Sequence, residues 1–407
     1  MGSSDQNIIR ELFYITHIGN LGSILEKGIL SHQKIEDERI SYQAIYDEDI
    51  VSRRKDKKTP SGKNLWSFSN LYFNARNPML FRVIREKGIE DIALLGISYR
   101  VLSLPGIVIT DGNAASDETS FLPNKESTVR RIFKQTQREY WNPYDGSKRR
   151  IMAECLVPER IPPYLIRSIY VPSYASVRKL EEKSDPLKLG QRSIMCEPNT
   201  FFQPSKIVKL LPNLFIKEGD MFFSREQTLT ISVNTVGVMG KGVASRAKWQ
   251  FSDVYVNYQF AARRGYLKMG KPYLYKREFS TDFELADDPT TLDNCKSVTW
   301  FLLFATKNHW RYDSDINGIE KGLQWIVENY TKEGITSLAL PALGCGLGNL
   351  DWRDVGPIIC KYMAKLDIPV SIYLPMEKKI PDALLTKEFL LPANKNTLSS
   401  FQHLRAK

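Results

Sequence analysis

The stretch that decides the fold is Val233-Asn234-Thr235-Val236-Gly237-Val238-Met239-Gly240-Lys241-Gly242. The alternating run Leu229-Thr230-Ile231-Ser232-Val233 leads into it and reads as a buried strand. Val243-Ala244-Ser245-Arg246-Ala247-Lys248-Trp249 follows and reads as the start of a helix. A strand, a glycine-rich turn and a helix N-terminus make a place for a phosphate, because unpaired backbone N–H groups converge there. Gly237, Gly240 and Gly242 remove the Cβ atoms that would hold an anion away. Strand–helix turns also carry glycines for steric reasons alone, so this turn by itself names no ligand.

Further along the chain, Leu343-Gly344-Cys345-Gly346-Leu347-Gly348 follows the buried run Ser337-Leu338-Ala339-Leu340-Pro341. Both turns follow strands, so both are expected to open on one edge of one sheet, where together they suit a diphosphate. Around them, Leu214–Phe222 reads as a strand ending at an acidic turn. Val298–Phe304 reads as a strand buried on both faces, and Val370–Leu374 as a last strand. Helices are expected over Ile316–Tyr330 and Asp351–Ala364. Asp220, at a strand end, can accept a hydrogen bond from an adenine amino group. Strands alternating with helices argue an α/β/α three-layer domain with its ligand crevice at the strands' carboxyl ends. There is no GxxxxGK[ST] pattern, which argues against an ATPase.

At 407 residues the chain is long for one core, and two domains are expected. Its 42% hydrophobic and 25% charged fractions are those of a soluble globular protein. No apolar run reaches the roughly 18–20 residues of a membrane-spanning helix. Met1-Gly2-Ser3-Ser4-Asp5-Gln6 lacks the basic and apolar regions of a secretory signal, and Gln6 stands where myristoylation wants Ser or Thr. Five scattered cysteines and four histidines, without ligand spacing, argue against a disulfide framework or a zinc site and point to the cytoplasm. The net charge is +11, and residues 1–210 hold 32 Lys and Arg against 25 Asp and Glu. Arg53-Arg54-Lys55-Asp56-Lys57-Lys58 is one cluster, and eight basic residues lie between Lys125 and Arg150. Such clusters serve as solvated surface or as a footing for nucleic acid.

In the first half, Phe13–Ile18 alternates as a short strand, and Leu21–Leu30 repeats as a short helix ended by Gly28. A further strand begins at Leu71-Tyr72-Phe73, and a helix is expected over Met79–Arg85. Ile92–Ser98 and Gly106–Thr110 read as buried strands, Asp111–Ser116 as a turn opening a long polar segment, and Tyr164–Val171 as the last strand region. Ser147–Val157 reads as a strand with one carboxylate, Glu154, among apolar neighbours. An unpaired buried carboxylate is costly, so Glu154 needs a partner or a chemical role. Ser176–Ser205 reads as a peripheral tail and linker.

The second half resembles macrodomains, ADP-ribose-binding modules, and within them the DarG antitoxin branch. The likeness rests on Asn234–Gly242, on Ala305-Thr306-Lys307-Asn308-His309-Trp310, and on Leu343–Gly348 with Asn349-Leu350-Asp351-Trp352. It implies removal of ADP-ribose from thymidine in DNA, with Lys307 as the catalytic lysine. It further implies ADP-ribose contacts from Asp220, Met221, Asn234, Thr235, Gly240, Lys241, Gly242, Gly344, Cys345, Gly346, Leu347 and Gly348. A desolvated lysine beside a phosphate site serves as a nucleophile toward the anomeric carbon if its pKa is depressed.

The first half resembles DarT, the DNA-modifying ADP-ribosyltransferase paired with DarG. Phe13–Leu21, Ala75-Arg76-Asn77-Pro78-Met79-Leu80 and Arg149–Val157 carry the likeness; Tyr14 stands where the family pattern has a histidine. The resemblance implies an α+β ADP-ribosyltransferase fold with NAD as substrate and single-stranded DNA containing thymidine as acceptor. Glu154 and Arg53 are then the catalytic pair, with Arg54 as the substitute for Arg53. Tyr14, Thr16, His17, Asn20 and Arg76 contact NAD, and Arg54, Asn113, Lys148 and Arg149 contact DNA. No metal is implied. The expected division is a transferase over 1–208, a macrodomain over 209–380 and a tail over 381–407, the family's further C-terminal region being absent or reduced. Two alternatives stay open: a macrodomain that only binds ADP-ribose and silences the first domain sterically, and an acceptor that is guanine, RNA or protein.

Overall fold

The computed structural model describes residues 9–46, 52, 54–183, 189–190, 192–292 and 297–392. The chain divides into two compact units. The first is Met1–Gln203 with Thr281–Cys295, and the second is Pro204–Ser280 with Lys296–Lys407.

In the first unit the strands are β1 Glu11–His17, β2 Ile29–Leu30, β3 Phe68–Tyr72, β4 Ile92–Ser98 and β5 Val108–Thr110. They continue with β6 Phe121–Pro123, β7 Glu154–Pro158, β8 Arg160–Ile161, β9 Ile166–Val171 and β10 Ser193–Cys196. An eight-stranded sheet runs β10-β9-β4-β1-β3-β7-β5-β6, and every pairing in it is antiparallel except β9 with β10. A sheet that is almost wholly antiparallel, with helices between its strands, makes this an α+β unit. β4 is buried along its whole length, as a central strand covered on both faces must be. The helix Pro78–Lys87 begins where two local signals coincide. Asn77 accepts the Leu80 N–H at 3.0 Å, and Pro78 occupies the first turn, where a missing N–H costs nothing.

In the second unit the strands are β11 Lys206–Leu211, β12 Leu214–Glu218, β13 Thr228–Asn234, β14 Tyr273–Tyr275, β15 Trp300–Lys307, β16 Leu338–Pro341 and β17 Val370–Tyr373. They form one sheet in the order β11-β12-β17-β16-β13-β15-β14, parallel except for its two edge strands. Strand alternation builds the layers. Leu302 and Phe304 join one apolar cluster with Ile319 and Leu323 of the helix Ile316–Glu333 and with Val355 and Ile359 of the helix Trp352–Met363. Phe301, Leu303 and Ala305 join the other, with Ala247, Val254 and Tyr258 of the helices Gly242–Gln250 and Ser252–Arg263. The result is the expected three-layer α/β/α sandwich.

Several expectations are corrected. Ser147–Ile151 is a short helix, and the strand starts only at Glu154, because Gly146 in the left-handed region turns the chain into it. The polar segment after Ser116 contains β6 and the helix Glu126–Thr136, whose Val129 and Ile132 are buried. Ser176–Ser205 is more than a linker, since β10 extends the sheet beside β9 and the helix Tyr174–Lys183 buries Leu180. The first break between the units falls at Gln203/Pro204 rather than after residue 208, because β11 pairs with β12. The segment Thr281–Cys295 folds with the first unit. There Asp287 pairs with the fully buried Arg82 at 2.7 Å, Asp282 pairs with Arg85 at 2.7 Å, and the Leu285 carbonyl accepts the Trp141 indole N–H at 3.1 Å. Part of the expected tail is core: Leu385 and Leu390 are buried in the first of the two clusters.

Candidate active sites

Glu154 opens β7 directly across from Tyr72 of β3, and it is 1% exposed. Its carboxylate has three donors. Arg54 grips both oxygens, Nη1 to Oε1 at 3.2 Å and Nη2 to Oε2 at 3.0 Å, and the Ala114 amide reaches Oε1 at 2.9 Å. Two parallel guanidinium bonds form the strong, planar arrangement that fixes a carboxylate's orientation. Burial disfavours the Arg54 cation, but the Glu154 charge and hydrogen bonds outweigh it, so the Arg54 pKa is raised. The Tyr72 phenol is also pushed up, by burial first and by Glu154 second. The Thr110 hydroxyl locks the backbone, accepting from the Glu154 N–H at 2.8 Å and donating to the Gly112 carbonyl at 2.7 Å. A buried carboxylate held in one orientation by a guanidinium and an amide suits a developing positive charge on a sugar ring.

Of the expected NAD contacts, Tyr14, Thr16, His17 and Asn20 lie on β1 and the turn after it, and Arg76 follows β3. Tyr14 and Thr16 lie on β1, and burial raises the Tyr14 phenol to about 12, with Tyr42 adding to the shift. His17 acts locally. Its Nδ1 accepts the Gly19 N–H at 2.9 Å, capping the turn, and burial lowers its pKa. Asn20 holds the segment leading toward Arg54, exchanging two hydrogen bonds with the Gln43 backbone at 2.9 and 2.7 Å. Arg76 stacks over Phe202 at 4.7 Å and donates to the Asn199 carbonyl. Arg53 lies outside the described residues. The guanidinium on Glu154 is that of Arg54.

Of the expected DNA contacts, Asn113 and Arg149 build the loop that delivers the Ala114 amide. Arg149 Nη1 donates to Asp111 at 2.9 Å and to Thr119 at 3.0 Å, and Asn113 Oδ1 accepts the Ala115 N–H at 3.0 Å. Lys148 donates to the Phe283 carbonyl at 3.1 Å, and burial lowers its pKa against the pull of Asp287, Glu284 and Asp288. Sequence reading marked Thr110-Asp111-Gly112-Asn113 as unusual without a role for Thr110, and missed Ala114 and Tyr72. An amide contact leaves no side-chain signal, and the tyrosine sits in a run that reads as plain strand.

In the second unit, β16, β13 and β15 are parallel neighbours, so the two glycine turns and Lys307 emerge on one edge. Asn234 and Lys307 are register partners. Lys307 Nζ donates to the Leu347 carbonyl at 3.2 Å, bridging from β15 to the second turn. A Cβ on Gly242 would meet Leu347 at 3.4 Å, so the two turns touch. Cβ atoms on Gly240 and Gly346 would meet nothing within 4 Å. These two glycines line open space, where a ligand can lie against backbone. Gly344 and Gly348 serve packing instead: Gly344 has φ +78° with Leu350 at 2.6 Å from an added Cβ, and a Cβ on Gly348 would strike the Gly344 carbonyl. Cys345 is buried, and its thiol is pushed up to about 12 by burial.

Asn234 is tied to its own turn. It is 6% exposed, and its side chain donates to the Val238 carbonyl at 2.6 Å and accepts from the Val236 N–H and the Tyr258 hydroxyl. It shapes the first turn from within. Thr235 ties that turn to β15's end through the Asn308 carbonyl at 2.8 Å, and Lys241 is the exposed N-cap of the following helix. Asp220 pairs with Arg246 at 2.6 Å and caps the Phe222 N–H, beside the buried Met221. Arg246 stacks over Phe222 at 4.7 Å.

Comparison with known proteins decides the family. Residues 13–202 match the family model described as ssDNA thymidine ADP-ribosyltransferase, DarT, and residues 291–359 match the macro domain model. A DNA ADP-ribosyl transferase–DNA ADP-ribosyl glycohydrolase fusion protein from Thermosipho africanus is 52% identical over 385 residues, covering 94% of this chain and 98% of that protein. The chain belongs to this DarT–DarG fusion family. A solved structure, Thermosipho africanus DarTG in complex with ADP-ribose, superposes with a TM-score of 0.89 at 52% identity, over 94% of this chain and 100% of that one. The DNA ADP-ribosyl glycohydrolase of Thermus aquaticus is 34% identical over 187 residues, 45% of this chain and 48% of its own. The fusion family thus joins a DarT fold to a DarG-type macrodomain, which are the two units described above. No helix among the described residues is long and apolar enough to cross a membrane.

Proposed function

We propose that the chain is a cytoplasmic toxin–antitoxin fusion whose first unit transfers ADP-ribose from NAD to thymidine in single-stranded DNA and whose second unit removes it. The observation that carries the transferase is Glu154, buried and held by Arg54 and the Ala114 amide. As the bond between the ribose anomeric carbon and nicotinamide breaks, the ring develops oxocarbenium character, and Glu154 stabilises that charge and orients the ribose hydroxyl. Arg54 takes the role the family pattern gave to Arg53, assisting loss of the thymine ring proton as the ring nitrogen attacks the anomeric carbon. The base must be unstacked to offer that edge, which single-stranded DNA already permits. In the second unit, the Lys307 amine attacks the same anomeric carbon as its bond to the thymine nitrogen breaks, that nitrogen takes back a proton, and water then displaces Lys307 to free ADP-ribose, held between Gly240 and Gly346.

The reading in which the macrodomain only binds ADP-ribose draws on one contact, since Lys307 already donates to Leu347 and must release that carbonyl before it acts. Lys307→Ala separates the two. Incubated with NAD, this variant is expected to accumulate ADP-ribose on thymidine-bearing oligonucleotides and none on thymidine-free ones, while keeping its affinity for ADP-ribose. Labelling of a thymidine-free strand rejects thymidine as the acceptor, and undiminished release rejects Lys307 as the hydrolytic residue.

A further inference from the structure

Helix Ser252–Arg263 is anchored on its inner side to the first glycine turn. Tyr258 Oη donates to the Asn234 carbonyl at 2.9 Å and to its side-chain oxygen at 2.8 Å, and a Cβ on Gly237 would lie 3.7 Å from Ala262. Its outer side carries large apolar groups in water. Val256 is 64% exposed, Phe260 46%, and Tyr266, just beyond the helix, 51%. Phe260 and Tyr266 meet edge to face at 5.7 Å, Tyr266 stacks near-parallel on Tyr273 at 6.4 Å, and the Arg264 guanidinium lies 5.9 Å from the Phe260 ring. From Val254 to Arg277 the chain holds six cations and no Asp or Glu. Arg277 is buried and Lys276 pairs with Glu333 at 3.1 Å, so the exposed cations that bear no such load are Arg263, Arg264, Lys268 and Lys271. The nearest preceding carboxylate, Asp253, is taken by Arg277 at 2.9 Å and Tyr275 at 3.1 Å. In the turn itself, Val236 and Val238 are 49% and 42% exposed.

Exposed aromatic rings interleaved with cations, and lacking acids, fit a single-stranded nucleic acid. Bases stack on the rings whatever their sequence, and the cations track the phosphates. We infer that this face is the strand-binding platform of the macrodomain, holding the nucleotides next to the ADP-ribosylated base so that its sugar enters the cleft beside Lys307. The inference rests on the glycohydrolase reading above and extends it. The cleft recognises the modification, and the platform recognises the DNA that carries it.

The test uses the full chain without NAD and two substrates: an oligonucleotide bearing one ADP-ribosylated thymidine, and the ADP-ribosyl-thymidine nucleoside released from it by nuclease digestion. Two variants are compared with the wild type, Phe260→Ala with Tyr266→Ala, and Arg263→Glu with Arg264→Glu. The platform predicts that the wild type prefers the oligonucleotide. Each variant should lose about tenfold or more in kcat/KM on the oligonucleotide, as expected for one stacked base or two phosphate contacts. On the nucleoside each variant should stay within about twofold of wild type by the same logic, since the nucleoside reaches only the cleft. The charge variant should also flatten the salt dependence on the oligonucleotide. Equal loss on both substrates, or no loss on the oligonucleotide, overturns the platform. So does a change in oligomeric state with unchanged oligonucleotide kinetics, which makes the face a contact between copies of this chain. If the wild type releases ADP-ribose from neither substrate, the glycohydrolase reading has failed; the platform is then judged by oligonucleotide binding alone, where unchanged affinity in both variants overturns it.

Discussion

The two candidate sites treat charge in opposite ways. Around Glu154 the protein supplies its own partners: Arg54 on both oxygens, the Ala114 amide, and Thr110 on the backbone. Around Lys307 it supplies mostly backbone. Gly240 and Gly346 face open space, and the Lys307 ammonium donates to a carbonyl of the turn. The first site is organised before substrate arrives, as stabilising a short-lived cation requires. The second is a cradle completed by the anion it binds. One chain therefore places bond making in a site of fixed side chains and bond breaking in a site of bare backbone.

If that contrast holds, each site fails by itself. The largest effect is expected from Glu154→Ala, which should lower transfer from NAD by roughly a thousandfold, about 4 kcal/mol of transition-state stabilisation, and leave removal intact. Gel-shift of an NAD-treated oligonucleotide measures it, and a loss under tenfold sinks the preorganised carboxylate. Lys307→Ala should slow release of ADP-ribose by about a hundredfold, read by release from pre-modified DNA, while ADP-ribose binding in calorimetry stays near wild type. Next comes a stability effect confined to the first unit. Asp287→Ala takes from the buried Arg82 its carboxylate partner at 2.7 Å and leaves it leaning on Glu86. The change should cost about 3 kcal/mol by urea unfolding of that unit. An unchanged midpoint means the segment Thr281–Cys295 does not stabilise the transferase.

The backbone cradle can be sharpened with glycines. Gly346→Ala has room for its Cβ in the unliganded fold and should keep the thermal midpoint, yet weaken ADP-ribose at least tenfold, about 1.4 kcal/mol. Gly344→Ala should instead destabilise by about 1–2 kcal/mol, because its backbone is left-handed. The last effect is a pH one. His32 stacks on Trp66 at 4.5 Å and bonds the Tyr46 hydroxyl at 3.0 Å; burial first, then the Arg54 charge, lowers its pKa to about 4. The unfolded chain, with an ordinary pKa near 6.5, takes up this proton first. The stabilising term from neutral His32 is therefore full above that value and is lost as pH falls toward 4. His32→Gln should flatten the acid limb of stability between those limits, and an unchanged limb contradicts the burial argument.

Much of the second unit was legible because its strands are continuous apolar runs and its turns are marked by glycine, both local signals. Lys307 was legible only through its motif, since one lysine at a strand end has no pattern of its own. In the first unit, Glu154 stood out as a carboxylate among apolar residues. What held it did not, because Arg54 and Ala114 are far from it in sequence and one of them acts through its amide. Asn234 was read as a ligand contact, and that it also staples its own turn was not legible. The placement of Thr281–Cys295 with the first unit was hidden because Asp282 and Asp287 find Arg85 and Arg82 only in the fold. Sequence pattern reports what neighbours along the chain can do, and long-range ion pairs lie outside its reach.

The central claim is that one chain writes and erases the same mark at two separate residues. Oligonucleotide modified by the Lys307→Ala protein with NAD, then freed of NAD, can be given in parallel to Glu154→Ala protein and to fresh Lys307→Ala protein. The account predicts that Glu154→Ala protein restores unmodified DNA and releases ADP-ribose, while Lys307→Ala protein leaves the mark in place. Persistence of the mark with the Glu154→Ala protein, or its removal by the Lys307→Ala protein, contradicts it.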